Sequence, residues 1–248
     1  MKAPALAFAI LCATPAWAEP TDIVVRVQSQ GAKFVGSSMG GAQVILRDAD
    51  TGEVLAQGLT VGATGDTKRI MGAANGAPVA DEKTAAFRAR IDIDLPRLIE
   101  VEATGPMAQR QSMARVSAQY WLIPGQPVIG DGWTLILPGL VVDAVEPAAH
   151  QRLAKGQETV RIAVNVAMMC GCPIENGGPW DAAGFDVRAL ITGPDGTTTR
   201  LSLPYAGRTG YFAAEWPVPA SGEYLLSVSA LDRTSGAAGA DRSSFIQP

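Results

Sequence analysis

The sequence predicts an all-β protein built from two β-sandwich domains, and three observations support this prediction. Glycine and proline are frequent, at 27 and 17 of 248 residues, while charged residues make up only 18%. Short apolar runs recur along the chain, and turn-forming residues separate them, as in chains of many short strands. Where these runs are regular, their period is two, which is the period of a strand with one buried face.

The first 18 residues have the pattern of a cleaved signal peptide. Lys2 supplies a positive start, residues 5–13 are a short apolar stretch, and residues 16–18 carry the small residues that a signal peptidase reads. Cys12 follows Leu11, where a lipoprotein signal would need a small residue, so we expect Cys12 to be lost on maturation. The sequence therefore predicts a periplasmic or secreted protein in an oxidising compartment.

Charge and hydropathy exclude two classes of partner at this stage. The net charge is −4, and no basic residues cluster as nucleic-acid binding requires. After the signal, no run approaches the roughly 20 apolar residues that a membrane helix needs. We therefore expect no nucleic acid and no membrane span, and other exported proteins as partners.

Residues 19–146 are predicted to form the N-terminal sandwich. The clearest strand is residues 87–94, where an apolar residue alternates with a charged one throughout. The turn residues 48–52 predict a hairpin between two further strands. The complete set of predicted strands in this domain is 23–27, 42–47, 54–57, 87–94, 98–104, 112–122 and 133–137.

A polar stretch without either hydrophobic period, residues 146–156, is the predicted linker. Residues 157–248 are then predicted to form an Ig-like sandwich that carries the Cys-Gly-Cys motif. Its first strand, from Val160 to Met168, has apolar residues at alternate positions, and Pro194-Asp195-Gly196 predicts a second hairpin. The remaining predicted strands are 185–192, 197–203, 211–216, 224–231 and 244–247.

Two short runs resemble known sandwich families. Residues 41–58 resemble the opening hairpin of transthyretin-like, or carboxypeptidase-regulatory-like, β-sandwiches. Residues 222–230 are similar to the penultimate strand of an immunoglobulin-like or fibronectin-like module. These resemblances imply a sandwich fold, in which Tyr224 bonds back across a sandwich corner. They imply a binding or spacing module and carry over no active site.

The two cysteines that remain after the signal, Cys170 and Cys172, are the centre of the candidate site. If the strand keeps its period, Met168 and both cysteines share its inward face. Residues two apart can have Cα atoms within the roughly 4.4–6.8 Å that a disulfide requires, and exported proteins oxidise paired thiols readily. One interpretation is therefore a small disulfide ring at the end of a strand.

Two other interpretations of the cysteines stay open. Two thiolates and a thioether are the ligands that copper(I) selects, so Met168, Cys170 and Cys172 form an alternative metal site. Thiol-disulfide exchange is the third interpretation, but it normally needs a helix start or a nearby cation to activate a thiolate. The sequence offers neither close by, and Glu175 has the opposite charge.

Two loops differ from the short turns of the rest of the chain. In the loop that follows the cysteines, Trp180 and Asp181 are predicted to contact a ligand or partner, since exposed tryptophan is enriched at binding hot spots. The alternative is that Trp180 covers the end of the sandwich and shields the cysteines. Residues 60–83 form a long loop with mixed charges, which we expect to be a solvated excursion.

Enzyme patterns find little support. Residues 36–40 match the five-residue nucleophile elbow centred on Ser38, with His150 as a distant base, but a strand follows where an elbow needs a helix. Asp48 and Asp50 begin like a calcium loop that lacks its later glutamate. The sequence thus predicts a non-catalytic binding, accessory or assembly protein without a cofactor. Copper(I) handling is the alternative function.

Overall fold

The computed structural model describes residues 18–74 and 76–248. The predicted signal peptide, with Cys12, lies almost entirely outside the described residues. Strands dominate the described part of the chain, so the all-β prediction is confirmed. None of the helices in that part is long and apolar enough to cross a membrane.

The N-terminal unit consists of two sheets packed on one core. Their strand orders are β4-β1-β7, in which β1 and β7 run parallel, and β3-β2-β5-β6. The inward faces bury apolar residues such as Val25, Val44 and Val101, all without exposed surface. The strands are β1 (Glu19–Ser29), β2 (Gln43–Asp48), β3 (Val54–Leu59), β4 (Phe87–Ile93), β5 (Arg97–Gly105), β6 (Ala114–Leu122) and β7 (Val128–Leu137).

The C-terminal unit is a second sandwich with sheet orders β13-β14-β10-β8 and β12-β11-β15-β16-β9. Tyr224 makes the predicted corner, because its hydroxyl donates to the carbonyl of Ala220, 2.7 Å away. The strands are β8 (Leu140–Glu146), β9 (Gln151–Arg152), β10 (Thr159–Met168), β11 (Phe185–Thr192), β12 (Thr198–Ser202), β13 (Tyr205–Arg208), β14 (Tyr211–Pro217), β15 (Gly222–Asp232) and β16 (Ala238–Gln247).

Sheet pairing changes between the two units at Pro138 and Gly139. The strand that follows, β8, pairs with β10 and buries Leu140 and Val142 in the C-terminal core. The predicted linker, residues 146–156, contains the short β9, and its Leu153 is also buried in that core. The division of the chain at residues 146 and 157 stays a prediction, while the sheets themselves change eight residues before the predicted linker.

The long loop 60–83 is anchored at more points than a solvated excursion would be. It contains the helix α1 (Thr67–Met71), whose Ile70 packs with Phe34 and Ala85 in a small cluster of its own. Next to it, the buried Arg26 donates to the carbonyls of Thr84, at 2.6 Å, and Ala85, at 3.1 Å. Three short 3₁₀ helices complete the described structure, at Ser37–Met39, Arg110–Ser112 and Ala182–Gly184.

Candidate functional site

The cysteines form a tight turn at the end of β10. Cys170 and Cys172 are joined by a disulfide, with Cα atoms 5.4 Å apart. Gly171 between them has φ +75°, a left-handed conformation that glycine adopts without steric cost. Its N–H donates to the carbonyl of Met168 at 2.8 Å, so the backbone reverses direction immediately after the strand.

Side chains of the turn enter both cores of the molecule. Met168, Cys170 and Cys172 are at most 3% exposed and belong to the C-terminal core. Met169 belongs to the N-terminal core. It also packs against the boundary residue Gly139, where an added Cβ would lie 2.7 Å from its Cε. Consecutive residues of a strand face opposite sides, and here these two sides are the cores of the two units.

Of the two interpretations of Trp180, the structure supports the one in which the side chain covers the end of the sandwich beside the cysteines, and not the exposed contact residue. Trp180 is only 6% exposed and packs in the C-terminal core that also contains both cysteines. Its indole N–H donates to the backbone carbonyl of Gly31 in the N-terminal unit, at 3.0 Å. The side chain is buried because both its apolar ring and its one polar group find partners inside the molecule. The neighbouring Asp181 is exposed, and its carboxylate accepts a hydrogen bond from the N–H of Ala183.

A short segment of the N-terminal unit, residues 29–32, completes the contact around the turn. The N–H of Met169 donates to the hydroxyl of Ser29 at 3.2 Å. The side-chain amide of Gln30 donates to the carbonyl of Ser235 at 2.6 Å. Ala32, at 0% exposure, is part of the C-terminal core. We call this assembly of residues 29–32, 168–172 and Trp180 the joint, because it connects the two units.

Met39 is a neighbour of the turn that sequence reasoning missed. It lies on the 3₁₀ helix Ser37–Met39 and is buried against the N-terminal core. A Cβ added to Gly171 would lie 2.7 Å from the Sδ of Met39, so this thioether rests directly on the turn. No sequence pattern relates Met39 to the turn more than 100 residues later. The glycine and serine residues around Met39 indicated only a loop.

A shallow cleft of about 190 Å³ borders the outer side of the turn and includes Gly171, Pro173 and Asp143. Burial is the largest influence on Asp143 and raises its pKa above the ordinary value. A hydrogen bond from Gln111 lowers the pKa, and the nearby charge of Asp241 raises it. The cleft residues include no lysine, arginine or histidine, so the cation that commonly activates a thiolate is missing there.

The residues of the other catalytic and metal hypotheses lie in different parts of the fold. Ser38 is exposed on the same 3₁₀ helix as Met39, between loop segments rather than between a strand and a helix. His150 lies in a turn of the C-terminal unit, where its backbone N–H donates to Ser244 of β16. Among the described residues, no group of three histidine, cysteine or acidic side chains could hold a metal ion.

The sulfur residues fit a soft metal only in a reduced state of the protein. Met168, Cys170 and Cys172 belong to one buried cluster, as the copper(I) hypothesis requires. However, the two cysteine sulfurs are bonded to each other. Thiolate ligands would therefore form only after two-electron reduction of that bond.

Comparisons with known proteins give no family for this chain. No family model matches it, and no curated protein matches it at a significant level. Among solved structures, an engineered protein is 20% identical over 51% of this chain and 24% of its own length, with a TM-score of 0.33. The chain thus spans about a quarter of that protein.

Two further similar structures cover most of the chain. Fibronectin(III)-like modules of Clostridium thermocellum CbhA are 14% identical over 92% of this chain and 86% of theirs, with a TM-score of 0.30. The chicken interferon gamma receptor alpha chain is 10% identical over 84% of this chain and 85% of its own, with a TM-score of 0.32. At such scores the likeness carries no functional argument, and the sandwich architecture stands on the strand pairing described above.

Proposed function

We propose that the protein is an exported, non-catalytic accessory protein that binds another exported protein, with the Cys-Gly-Cys turn serving to hold its two units together. The observation that carries this proposal is that the residues of the turn pack inside the molecule and contact both units. Its disulfide is buried, Met169 enters the second core, and Trp180 is hydrogen-bonded across the joint. The residues best suited to chemistry are therefore engaged in packing, which is typical of a rigid binding scaffold.

The outer face of the sheet β12-β11-β15-β16-β9 is the binding surface that we assign. Leu225 is 63% exposed on this face, and Leu190 and Leu231 are 37% and 40% exposed. A groove of about 430 Å³ lies among Leu190, Leu225, Ser227 and Arg242. Apolar side chains surrounded by hydroxyl groups suit a partner protein with both apolar and hydrogen-bonding groups.

Site-specific photo-crosslinking in the native host tests the proposal. A benzophenone amino acid at Leu225 should give one discrete adduct with a different exported protein. The same residue at Val61, which is 68% exposed on the N-terminal unit, is the matched control and should give none. An adduct with the mass of two copies of this chain, or equal adducts at both positions, would contradict the proposal.

Copper(I) handling is the second candidate function, and the position of Met39 favours it. Its Sδ rests on Gly171 between the two cysteines, so a further element of the fold brings a thioether next to the turn. The reduced protein would then bind copper(I) more tightly than the double variant Cys170→Ser/Cys172→Ser. Titration of both proteins against a competing copper(I) chelator measures this, and equal affinities would exclude the candidate.

A further inference from the structure

The edge strand β6 is open along its whole length. It pairs with β5 over nine residues, from Ala114 to Leu122, without a register shift. It is the last strand of its sheet. In the described part of the chain, no other segment forms backbone hydrogen bonds with residues 115–121. The outward N–H and C=O groups of β6 therefore form a free template for another strand.

Three of the other sheet edges, β3, β4 and β9, carry features that discourage pairing, and β6 does not. The edge strand β4 places Arg88, Arg90 and Asp92 on its solvent side. The edge strand β3 pairs through a register shift, and β9 has two residues. By contrast, Arg115 is the single charged residue of β6, which contains neither proline nor glycine.

The residues of β6 that face the N-terminal core are only partly buried. On the central strand β5, the inward residues Ile99, Val101 and Ala103 have no exposed surface. The residues directly opposite them on β6 are Tyr120, Ala118 and Val116 in the same order, and all three are only half-buried. They pack against the N-terminal core, where Tyr120 stacks on Trp133 of β7 with ring centroids 4.9 Å apart. A strand added next to β6 would remove their remaining apolar surface from water.

The sequence of β6 is complementary to itself when two copies run antiparallel about Ala118. In that register Val116 of one chain lies opposite Tyr120 of the other, and Ser117 lies opposite Gln119. β-Branched with aromatic residues and pairs of hydrogen-bonding residues are favourable neighbours across strands. No like charges face each other, because the partner of the one charged residue is an aromatic residue.

That remaining pair joins Arg115 to Trp121 of the second copy. The indole of Trp121 is 64% exposed, the third-highest exposure among the large exposed apolar residues of the described chain. The side chain of Arg115 is 69% exposed and is held by Glu102 at 3.4 Å. A guanidinium over an indole face is a favourable cation–π contact, and two-fold symmetry would form it twice.

We propose that the protein forms a homodimer in which β6 pairs antiparallel with β6 of a second copy, centred on Ala118. This joins the two N-terminal sheets into one eight-stranded sheet across the interface. The inference is independent of the accessory function proposed above, because it uses the N-terminal unit and leaves the outer face of the C-terminal sheet free.

Light scattering on the full chain over a wide range of concentrations gives the first test. The wild-type protein should have the mass of two chains at high concentration. The variant Ser117→Lys/Gln119→Lys places lysine opposite lysine twice and should have the mass of one chain. The control Thr198→Lys/Ser202→Lys adds the same charge to the exposed residues of the edge strand β12 and should stay dimeric. A monomeric wild type, a dimeric β6 variant, or equal dissociation of both variants would overturn the proposal.

Cysteine crosslinking tests the register without relying on a loss of dimer. Directly opposed residues of antiparallel strands have Cα atoms about 4.5–5.5 Å apart, which suits a disulfide. Ala118→Cys should therefore form a disulfide-linked dimer on mild oxidation, seen on a non-reducing gel. Thr198→Cys on β12 is the control and should remain monomeric on that gel. If Ala118→Cys crosslinks no faster than Thr198→Cys, the proposed pairing is refuted.

Discussion

The indole N–H of Trp180 donates a hydrogen bond to the backbone carbonyl of Gly31, 149 residues away in the chain. The bond links the loop after the cysteines to the segment that leads out of β1. Since Met169 and Ser29 form a second bond beside it, the cysteine turn is fixed between two sandwiches rather than at the free end of one.

Replacement of Trp180 by phenylalanine should destabilise the protein beyond the effect of the smaller ring. The carbonyl of Gly31 would lose its donor from Trp180, which costs about 1 kcal/mol. Trp216→Phe is the matched control, because Trp216 is also 6% exposed and its indole N–H forms no hydrogen bond with a described residue. Urea unfolding of both variants measures the difference, and equal losses would show that the bond to Gly31 contributes nothing.

Reduction of the disulfide should have a small effect on stability. The ring closes over only three residues, and chain entropy for so short a loop amounts to about 1.5 kcal/mol. Urea unfolding with and without a phosphine reductant should show a loss of this size. A Cys170→Ala/Cys172→Ala variant, treated in the same way, should show none. A loss of several kcal/mol would mean that the disulfide also organises the folded joint.

Much of the fold was predictable because the alternation of apolar and polar residues identifies strands that have one buried and one exposed face. Residues 185–192 were predicted with the bounds that β11 has, and β4 and β5 were predicted to within one residue at each end. β8 was missed, since Leu140, Val141 and Val142 form a continuous apolar run without a period of two. All three are buried, as in a strand that is covered on both faces.

The cysteine turn was predictable and its surroundings were not. Period two correctly placed Met168 and Cys170 on one face, because that rule needs only local geometry. For Trp180 the sequence left open both a surface position and a position over the end of the sandwich, since a glycine-rich loop says nothing about a carbonyl 149 residues earlier. Met39 gave no signal for the same reason. Contacts between units depend on how two sandwiches meet, which a single sequence does not encode in any local period.

Arg26 on β1 should be essential for stability. It is 2% exposed and donates to the carbonyls of Thr84 and Ala85. Burial, the largest influence, lowers its pKa from the ordinary value. Arg26→Met would leave buried carbonyls without donors, so we expect a loss of at least about 2 kcal/mol. Thermal and urea unfolding should show a much smaller effect for the control Arg88→Met on the exposed side of β4. Similar losses in the two variants would contradict this role.

Asp143 should make the protein less stable as the pH rises. A carboxylate in a salt bridge has the opposite effect. Burial raises its pKa in the folded chain, so the folded state binds the proton more tightly than the unfolded state does. The ionised carboxylate therefore lowers stability above the folded pKa. This penalty disappears as the pH falls through the folded pKa towards the unfolded value near 4.

Asp143→Asn removes that charge and keeps an oxygen that can accept from Gln111. The variant should be more stable than wild type near pH 7, and the difference should shrink as the pH falls to about 4. Urea unfolding at several pH values measures this, with the exposed Asp50→Asn as control. A difference that stays constant with pH, or that grows on acidification, would show that burial does not govern Asp143.

Gly171→Ala should reveal how closely the N-terminal unit rests on the cysteine turn. Alanine at φ +75° costs about 1 kcal/mol on conformational grounds alone, and its Cβ would also meet the Sδ of Met39 at 2.7 Å. Gly196→Ala is the matched control, because Gly196 has φ +80° with no atom within 4 Å of the added Cβ. We expect Gly171→Ala to cost more than Gly196→Ala. In a double-mutant cycle with Met39→Ala, the excess should vanish, because the shortened side chain makes room for the new methyl group. If Gly171→Ala still costs more than Gly196→Ala in the Met39→Ala background, the extra loss of stability comes from the backbone of the turn and not from the contact with Met39.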